Sequence, residues 1–198
     1  ETMAGVDNFK LILQDVLKVD LKALIAEEFP GMPVAVCANL PYYITSPVIM
    51  KLLEDRLPIT SITVMVQKEA AERLCAQPGT RECGAVSAAV QYYAEPEILF
   101  EVSRGSFMPA PNVDSAVIQL RIRKEPPVDV HDEALFFRVI RAAFAQRRKT
   151  AVNSISNTLH MSKQQVTDAF EQAGVRANSR AEALTLPEFA AVVNQLTD

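Results

Sequence analysis

The sequence predicts an α/β unit built on a parallel sheet, followed by a small all-helical unit. Two observations predict this fold class. Over residues 1–127, short apolar runs alternate with amphipathic helical patterns, which is typical of parallel strands joined by right-handed helical crossovers. Over residues 128–198, the apolar patterns have helical spacing. The proline-containing stretch at residues 124–129 separates the two patterns, so we place the boundary between the domains at residues 127/128.

The α/β unit begins with a predicted strand at residues 9–15, which ends on the carboxylate of Asp15, and an amphipathic helix at residues 21–29. Residues 34–38 form an uninterrupted apolar run, which predicts a fully buried parallel strand. The next elements are predicted as a helix capped by Thr45 or Ser46 with Pro47 at its first position, a strand at 61–67, and helices at 68–76 and 84–93. Residues 98–102 and 115–123 are predicted as an antiparallel pair of strands at the end of the sheet.

The helical unit is predicted from apolar stripes and from capping signals. One stripe runs through residues 136–144 and the next through residues 152–159. Ser162 precedes a predicted helix that ends before Gly174, which is a typical C-terminal residue. The basic triplet Arg147-Arg148-Lys149 lies between the two stripes and is predicted to be on a helix.

Composition and charge limit the class of protein. The 198 residues are 49% hydrophobic and 22% charged, which is enough to bury a sizeable core. The net charge of −4 argues against a protein that coats nucleic acid generally, so a nucleic-acid contact would have to be a local patch. The three cysteines have no metal-ligand spacing, and no apolar stretch is long enough for a transmembrane helix. We therefore expect a cytoplasmic protein with neither a metal nor a membrane partner.

The most informative stretch is Asn39-Leu40-Pro41-Tyr42, directly after the apolar run. Open α/β sheets bind ligands at the carboxyl ends of their strands. The exocyclic amine of adenine is a poor nucleophile because its lone pair is delocalised into the ring. Acceptors such as the Asn39 side-chain oxygen and the Leu40 carbonyl can grip the amine hydrogens and localise that pair. Pro41 fixes the turn, and Tyr42 can stack on an extruded base.

These residues resemble a known signature. Asn-Leu-Pro-Tyr after a strand is similar to the motif of adenine amino-methyltransferases, and residues 39–47 together resemble the ribosomal RNA adenine dimethyltransferase family. Three further stretches match that family. They are residues 66–69 with residues 78–80, the Phe-x-Pro-x-Pro-x-Val-Asp-Ser run at residues 107–115, and residues 144–153. The resemblance implies a Rossmann-like, S-adenosylmethionine-dependent methyltransferase sheet with a helical RNA-binding domain.

The resemblance also implies a function. It is the dimethylation of the exocyclic amines of adjacent adenines in small-subunit (16S) ribosomal RNA, with a role in maturation of that subunit. The implied partner is the small (30S) ribosomal subunit, and we expect the protein to be a monomer.

The same resemblance implies roles for individual residues. Asn39 and the Leu40 carbonyl hold the target amine, Tyr42 and Phe107 sandwich the adenine, and Pro41 shapes the turn. Asp15 and Asn39 are implied to contact the cofactor. The implied RNA-binding residues are basic, namely Arg141, Arg147, Arg148, Lys149 and Lys163.

The chain departs from the family pattern at its start. The six glycines form no Gly-x-Gly pair, and the family's first strand, Gly-rich cofactor loop and ribose-binding acid should all precede Phe9. We therefore expect an N-terminally truncated chain that lacks at least one βαβ unit, on the order of 30 residues. S-adenosylmethionine binding is expected to be impaired, and the fragment itself is expected to be inactive.

Other interpretations stay open from the sequence. A non-catalytic ribosome-assembly factor would use the same surfaces only to bind, and a resistance-type enzyme would methylate large-subunit ribosomal RNA. For single residues, Asn39 could cap a turn, Phe107 could belong to the core, and Asp15 could cap the following helix. The basic triplet could be an ordinary solvated face.

Overall fold

A four-stranded mixed sheet lies at the centre of the computed structural model, which describes residues 5–196. The strands are β1 (Val34–Asn39), β2 (Ile59–Gln67), β3 (Ala94–Val102) and β4 (Ser115–Ile122). The helices are α1 (Leu21–Glu28), α2 (Thr45–Glu54), α3 (Lys68–Cys75), α4 (Ala85–Tyr93), α5 (Glu133–Phe144), α6 (Ala151–Leu159), α7 (Lys163–Gln172) and α8 (Leu186–Val193). Short 3-10 turns occur at Tyr42–Ile44, Arg104–Ser106 and Ala181–Ala183.

The strand order is β1-β2-β4-β3. β1 and β2 are parallel, whereas β4 runs antiparallel to both β2 and β3, so the predicted antiparallel pair at the end of the sheet is confirmed. In register, Asn39 at the end of β1 is opposite Met65 of β2, and Gln67 at the end of β2 is opposite Ser115 at the start of β4. The residues that follow β1 and those that precede β4 therefore meet at one edge of the sheet.

Three predictions for the first part of the chain were wrong. Residues 9–15 form no strand, because no described strand lies beside them to exchange hydrogen bonds, and Leu13 is 95% exposed. β1 is not fully buried, because it is an edge strand whose residues alternate between half-buried and exposed. α2 begins at Thr45 after Ile44 and has no side-chain cap, so Pro47 lies inside its first turn rather than at its first position.

The apolar residues form two clusters that share α4. One lies against the sheet and contains buried residues of α2, β2 and β4, such as Ile49, Val64 and Ile118. The other lies among α5–α8 and has Phe136 at its centre, with no exposed surface. Val90 of α4 belongs to the first cluster, and other residues of the same helix (Ala88, Ala89 and Tyr92) belong to the second. One helix thus packs against both the sheet and the C-terminal helices.

The helices of the C-terminal part follow the predicted pattern, and the prediction of an all-helical region after the sheet is confirmed. The Ser162 hydroxyl accepts a hydrogen bond from the Gln165 N–H at 3.1 Å and caps α7. Thr185 and Glu188 form a reciprocal capping box at the start of α8. Within residues 5–196, no helix combines the length and the apolar character needed to cross a membrane.

A polar cluster joins the two parts of the chain at the start of α5. The Glu133 carboxylate accepts hydrogen bonds from the Arg56 guanidinium, from the Tyr92 hydroxyl at 2.9 Å and from the Tyr93 hydroxyl at 3.5 Å. Arg56 has a left-handed backbone (φ 46°), and its guanidinium lies 5.3 Å from the centre of the Tyr93 ring. Arg56, just after α2, and the two tyrosines at the end of α4 are thus hydrogen-bonded to Glu133, the first residue of α5.

Candidate active site

The Asn39-Leu40-Pro41-Tyr42 stretch follows β1 at the edge of the sheet. Asn39 is the last residue of β1, and Leu40 is half-buried against the apolar cluster of the sheet. Pro41 has the φ of −56° that its ring requires, and its carbonyl accepts the Ile44 N–H at 3.1 Å. Tyr42 therefore begins a tight 3-10 turn, which directs the chain from the strand into α2.

The Tyr42 ring is held by β4. Its hydroxyl lies 2.8 Å from the hydroxyl of Ser115, a residue with no exposed surface at the start of that strand. The loop before Ser115 is closed by Asp114, whose carboxylate accepts the Arg104 N–H at 2.9 Å. Phe107 lies in this loop and is half-buried. The two sequence motifs thus meet through the hydrogen bond between Tyr42 and Ser115.

A cavity of about 380 Å³ lies between the two motifs. This size is within the usual range for small-molecule sites. Its walls are mostly apolar and aromatic. The polar side-chain groups among its lining residues are the Asn39 amide and the Tyr42 hydroxyl. The lining residues are Asn39, Leu40, Pro41, Tyr42, Met65, Phe107, Pro109 and Pro111. The lining thus offers two aromatic rings and one amide side chain to a ligand.

Asp15, the predicted cofactor ligand, is not among the residues that line the cavity. Its carboxylate accepts the Leu17 N–H at 3.0 Å and lies 3.7 Å from the Lys18 ammonium. These contacts stabilise a local turn, and the alternative interpretation of Asp15 as the cap of the following helix was wrong, because Asp20 caps α1 by accepting the Ala23 N–H at 2.9 Å. Among residues 5–196 there is also no group of three or more His, Cys, Asp or Glu side chains that could hold a metal ion.

The basic triplet lies in a turn between α5 and α6, so its prediction on a helix was wrong. α5 ends at Phe144 because the buried hydroxyl of Ser154 donates to the Ala142 carbonyl at 2.6 Å and accepts the Gln146 N–H at 3.1 Å, which diverts the backbone. The five predicted RNA-binding residues are all exposed (Arg141, Arg147, Arg148, Lys149 and Lys163). Arg147 also faces acidic side chains of α3, namely Glu69 and Glu72.

Sequence reasoning missed two residues of the site, Met65 and Ser115. Met65 lines the cavity because it lies on the opposite face of β2 from the buried Val64 and Val66. The alternation of β2 was a signal for this placement. Ser115 lies at the end of the Phe-x-Pro motif, and nothing in its sequence neighbourhood indicates a contact with Tyr42, 73 positions away.

The fold defines a class of protein by comparison with solved structures. The chain is similar to a dimethyladenosine transferase from Plasmodium falciparum, with a TM-score of 0.72 and 22% identity over 95% of this chain and 72% of that one. It is also similar to the 23S rRNA methyltransferase ErmE, with a TM-score of 0.68 and 23% identity over 98% of this chain and 75% of that one. The chain therefore shares the fold of these two methyltransferases, and the prediction of a Rossmann-like methyltransferase sheet with a helical C-terminal region is confirmed.

Sequence comparisons identify the family within that class. The family model for ribosomal RNA adenine dimethylases matches residues 1–198, so the chain belongs to this family. A curated relative from Geobacillus sp. (strain WCH70), named ribosomal RNA small subunit methyltransferase A, is 52% identical over 99% of this chain and 69% of its own length. The protein of the same name from Clostridioides difficile (strain 630) is 44% identical over 98% of this chain and 67% of its own length. The predicted family is confirmed.

Proposed function

We propose that this protein dimethylates the exocyclic amines of adjacent adenines in small-subunit (16S) ribosomal RNA, with S-adenosylmethionine as the methyl donor. The observation that carries the proposal is the cavity shared by residues 39–42 and the Phe107 loop. Asn39, Leu40, Tyr42 and Phe107, to which the proposal assigns the two acceptors and the two stacking rings, all line it. The names of the curated relatives favour the small subunit over the large one.

In this proposal the chain acts on the acceptor base. Phe107 and Tyr42 stack on the two faces of an extruded adenine. The side-chain oxygen of Asn39 and the carbonyl of Leu40 accept the two amine hydrogens, which localises the nitrogen lone pair for attack on the methyl carbon. S-adenosylmethionine, when bound, would supply the methyl group and leave as the demethylated thioether, and the methylated amine would lose its proton to solvent. Positioning of this kind accounts for much of the barrier reduction in such reactions.

The described residues do not form a complete site for the donor. Asp15 is engaged with the Leu17 N–H outside the cavity, and the sequence contains no Gly-x-Gly pair. We infer that these 198 residues alone bind S-adenosylmethionine weakly and transfer methyl groups poorly. Isothermal calorimetry should show no saturation at micromolar cofactor. Micromolar affinity would contradict the inference.

Methyl transfer is best tested in a fusion of this chain to the part of the Geobacillus relative that lies outside the matched region. Small and large ribosomal subunits that lack the modification serve as alternative substrates. In this fusion, Asn39→Ala should lower transfer to the small subunit about 100-fold or more while binding to the subunit changes little. Retained turnover would refute the role of Asn39. Preferred methylation of the large subunit would favour the resistance-type interpretation, and binding without transfer by the unmodified fusion would favour an assembly factor.

We further propose that the exposed basic residues bind phosphates of the small ribosomal subunit, and that the protein acts as a cytoplasmic monomer. Arg147→Glu with Arg148→Glu should weaken RNA binding and flatten its dependence on salt, because fewer counterions are released. Lys22→Glu with Lys124→Glu is the matched control, since it changes the net charge equally at exposed positions elsewhere. If the two double substitutions change RNA affinity and its salt dependence equally, the basic triplet does not bind RNA and is an ordinary solvated surface.

A further inference from the structure

Ser115 is a buried hydroxyl that the proposed chemistry does not use. The residue has no exposed surface, and its Oγ lies 2.8 Å from the Tyr42 hydroxyl. Buried hydroxyls are nearly always hydrogen-bonded, and leaving one unpaired is costly. The pairing with Tyr42 satisfies Ser115 and at the same time restrains the tip of a ring that lines the cavity.

The backbone that carries Ser115 is fixed on both sides. Ser115 is opposite Gln67 of β2 and Val102 of β3, so it lies between two neighbouring strands. The preceding carbonyl, that of Asp114, accepts the Lys68 N–H at 3.0 Å. The Tyr42 ring, in contrast, extends from a three-residue 3-10 turn at the edge of the sheet. The hydrogen bond therefore ties a ring on a short turn to a rigid point of the sheet.

We propose that Ser115 is a positioning residue for base binding. Its hydroxyl fixes the direction in which the Tyr42 side chain extends, so that the ring stays beside a base held against Phe107. The proposal rests on the proposed function of this cavity as an adenine pocket. The torsion about Cα–Cβ has three staggered wells, and a hydrogen bond at the tip of the ring selects the one that places the ring against the cavity. Stacking on aromatic side chains contributes substantially to the binding of an extruded base, and it requires the ring at that place.

The test measures base stacking directly and requires no methyl donor. A short RNA carries 2-aminopurine in place of the target adenine, and its fluorescence is quenched when the base stacks on a ring. Ser115→Ala and Tyr42→Phe should each weaken binding by roughly 2- to 10-fold and reduce the quenching, which corresponds to one hydrogen bond. The double variant should be no worse than either single variant. Ser115→Thr, which keeps a hydroxyl, should restore the quenching.

Ser87→Ala is the matched control, because Ser87 is an equally buried, hydrogen-bonded serine in α4 that does not line the cavity. It should leave the quenching unchanged even where it lowers stability. Tyr42→Phe keeps the aromatic ring and is expected to keep the fold. It therefore measures the effect of losing the hydrogen bond even if the Ser115→Ala protein unfolds. If Tyr42→Ala abolishes quenching while Tyr42→Phe and Ser115→Ala do not, the role of Ser115 is overturned and the adenine pocket stands. If Tyr42→Ala also has no effect, both proposals fail.

Discussion

Glu133 offers a quantitative test of how the sheet and the helical part are joined. In Glu133→Ala, the hydroxyl of Tyr92 loses its acceptor, and Tyr92 is only 2% exposed. An unpaired buried hydroxyl costs about 1–3 kcal/mol. The ion pair with Arg56 adds less than about 1 kcal/mol, because the two side chains are 53% and 37% exposed. The bond from Tyr93 is long, at 3.5 Å, and adds little.

We therefore expect Glu133→Ala to lower the free energy of unfolding by about 2 kcal/mol, or the melting temperature by roughly 4–8 °C for a chain of this size. Chemical and thermal denaturation at pH 7 measure the change. Glu171→Ala, which removes an exposed carboxylate of α7, is the control. Glu133→Gln separates the two contributions, because it keeps an acceptor for Tyr92 and removes the charge opposite Arg56. A melting temperature for Glu133→Ala within 1 °C of the parent would refute the reasoning.

The pH dependence of the same difference has a definite sign. Partial burial opposes ionisation of Glu133, but hydrogen bonds from Arg56 and Tyr92 outweigh burial and lower its pKa below the ordinary value of 4.5. Burial and the bond to Glu133 raise the pKa of Tyr92 to about 12, so its hydroxyl stays protonated as a donor. A carboxylate with a lowered pKa stabilises the fold above its ordinary pKa and loses that effect as the pH falls. The difference between parent and Glu133→Ala should persist down to about pH 5 and shrink below about pH 4.

Three further predictions concern other positions. Ser154→Ala should loosen the turn that carries the basic triplet; RNA affinity should fall while the salt slope stays unchanged, since no charge is removed. Gly79→Ala should destabilise the fold more than Gly31→Ala in urea titrations. Both glycines have left-handed φ values, of 89° and 70°, so both substitutions strain the backbone. Only at Gly79 does the new Cβ also approach another side chain, because a Thr185 atom lies 3.2 Å away. Phe136→Ala should cost about 3–5 kcal/mol of unfolding free energy, because its side chain is fully buried at the centre of the helical cluster.

Local patterns predicted much of the fold and of the site. The strands at β2 and β4 and the helices from α3 to α7 depend on short-range periodicity, and the convergence of residues 39–42 with the Phe107 loop was implied by the family resemblance. The errors occurred where distant neighbours decide the structure. An apolar run is compatible with a central strand and with an edge strand, so the sequence could not distinguish the half-exposed β1 from a fully buried strand. Likewise, α5 ends before Arg147 because of a hydroxyl on another helix, and Ser115 acquires its contact only through the sheet register.

The position of α4 between two apolar clusters affects how the protein unfolds and how it responds to proteolysis. A break at residues 127/128 would leave the α/β unit with the Tyr92 face of α4 newly exposed, because Ala88, Ala89 and Tyr92 are buried by the C-terminal helices. Such a fragment would expose a contiguous apolar surface, which promotes aggregation. Melting of the helical part would remove the cover from this face and weaken the sheet as well. We therefore expect the polypeptide to unfold in one cooperative step, so that proteases would find no durable half-molecule to accumulate.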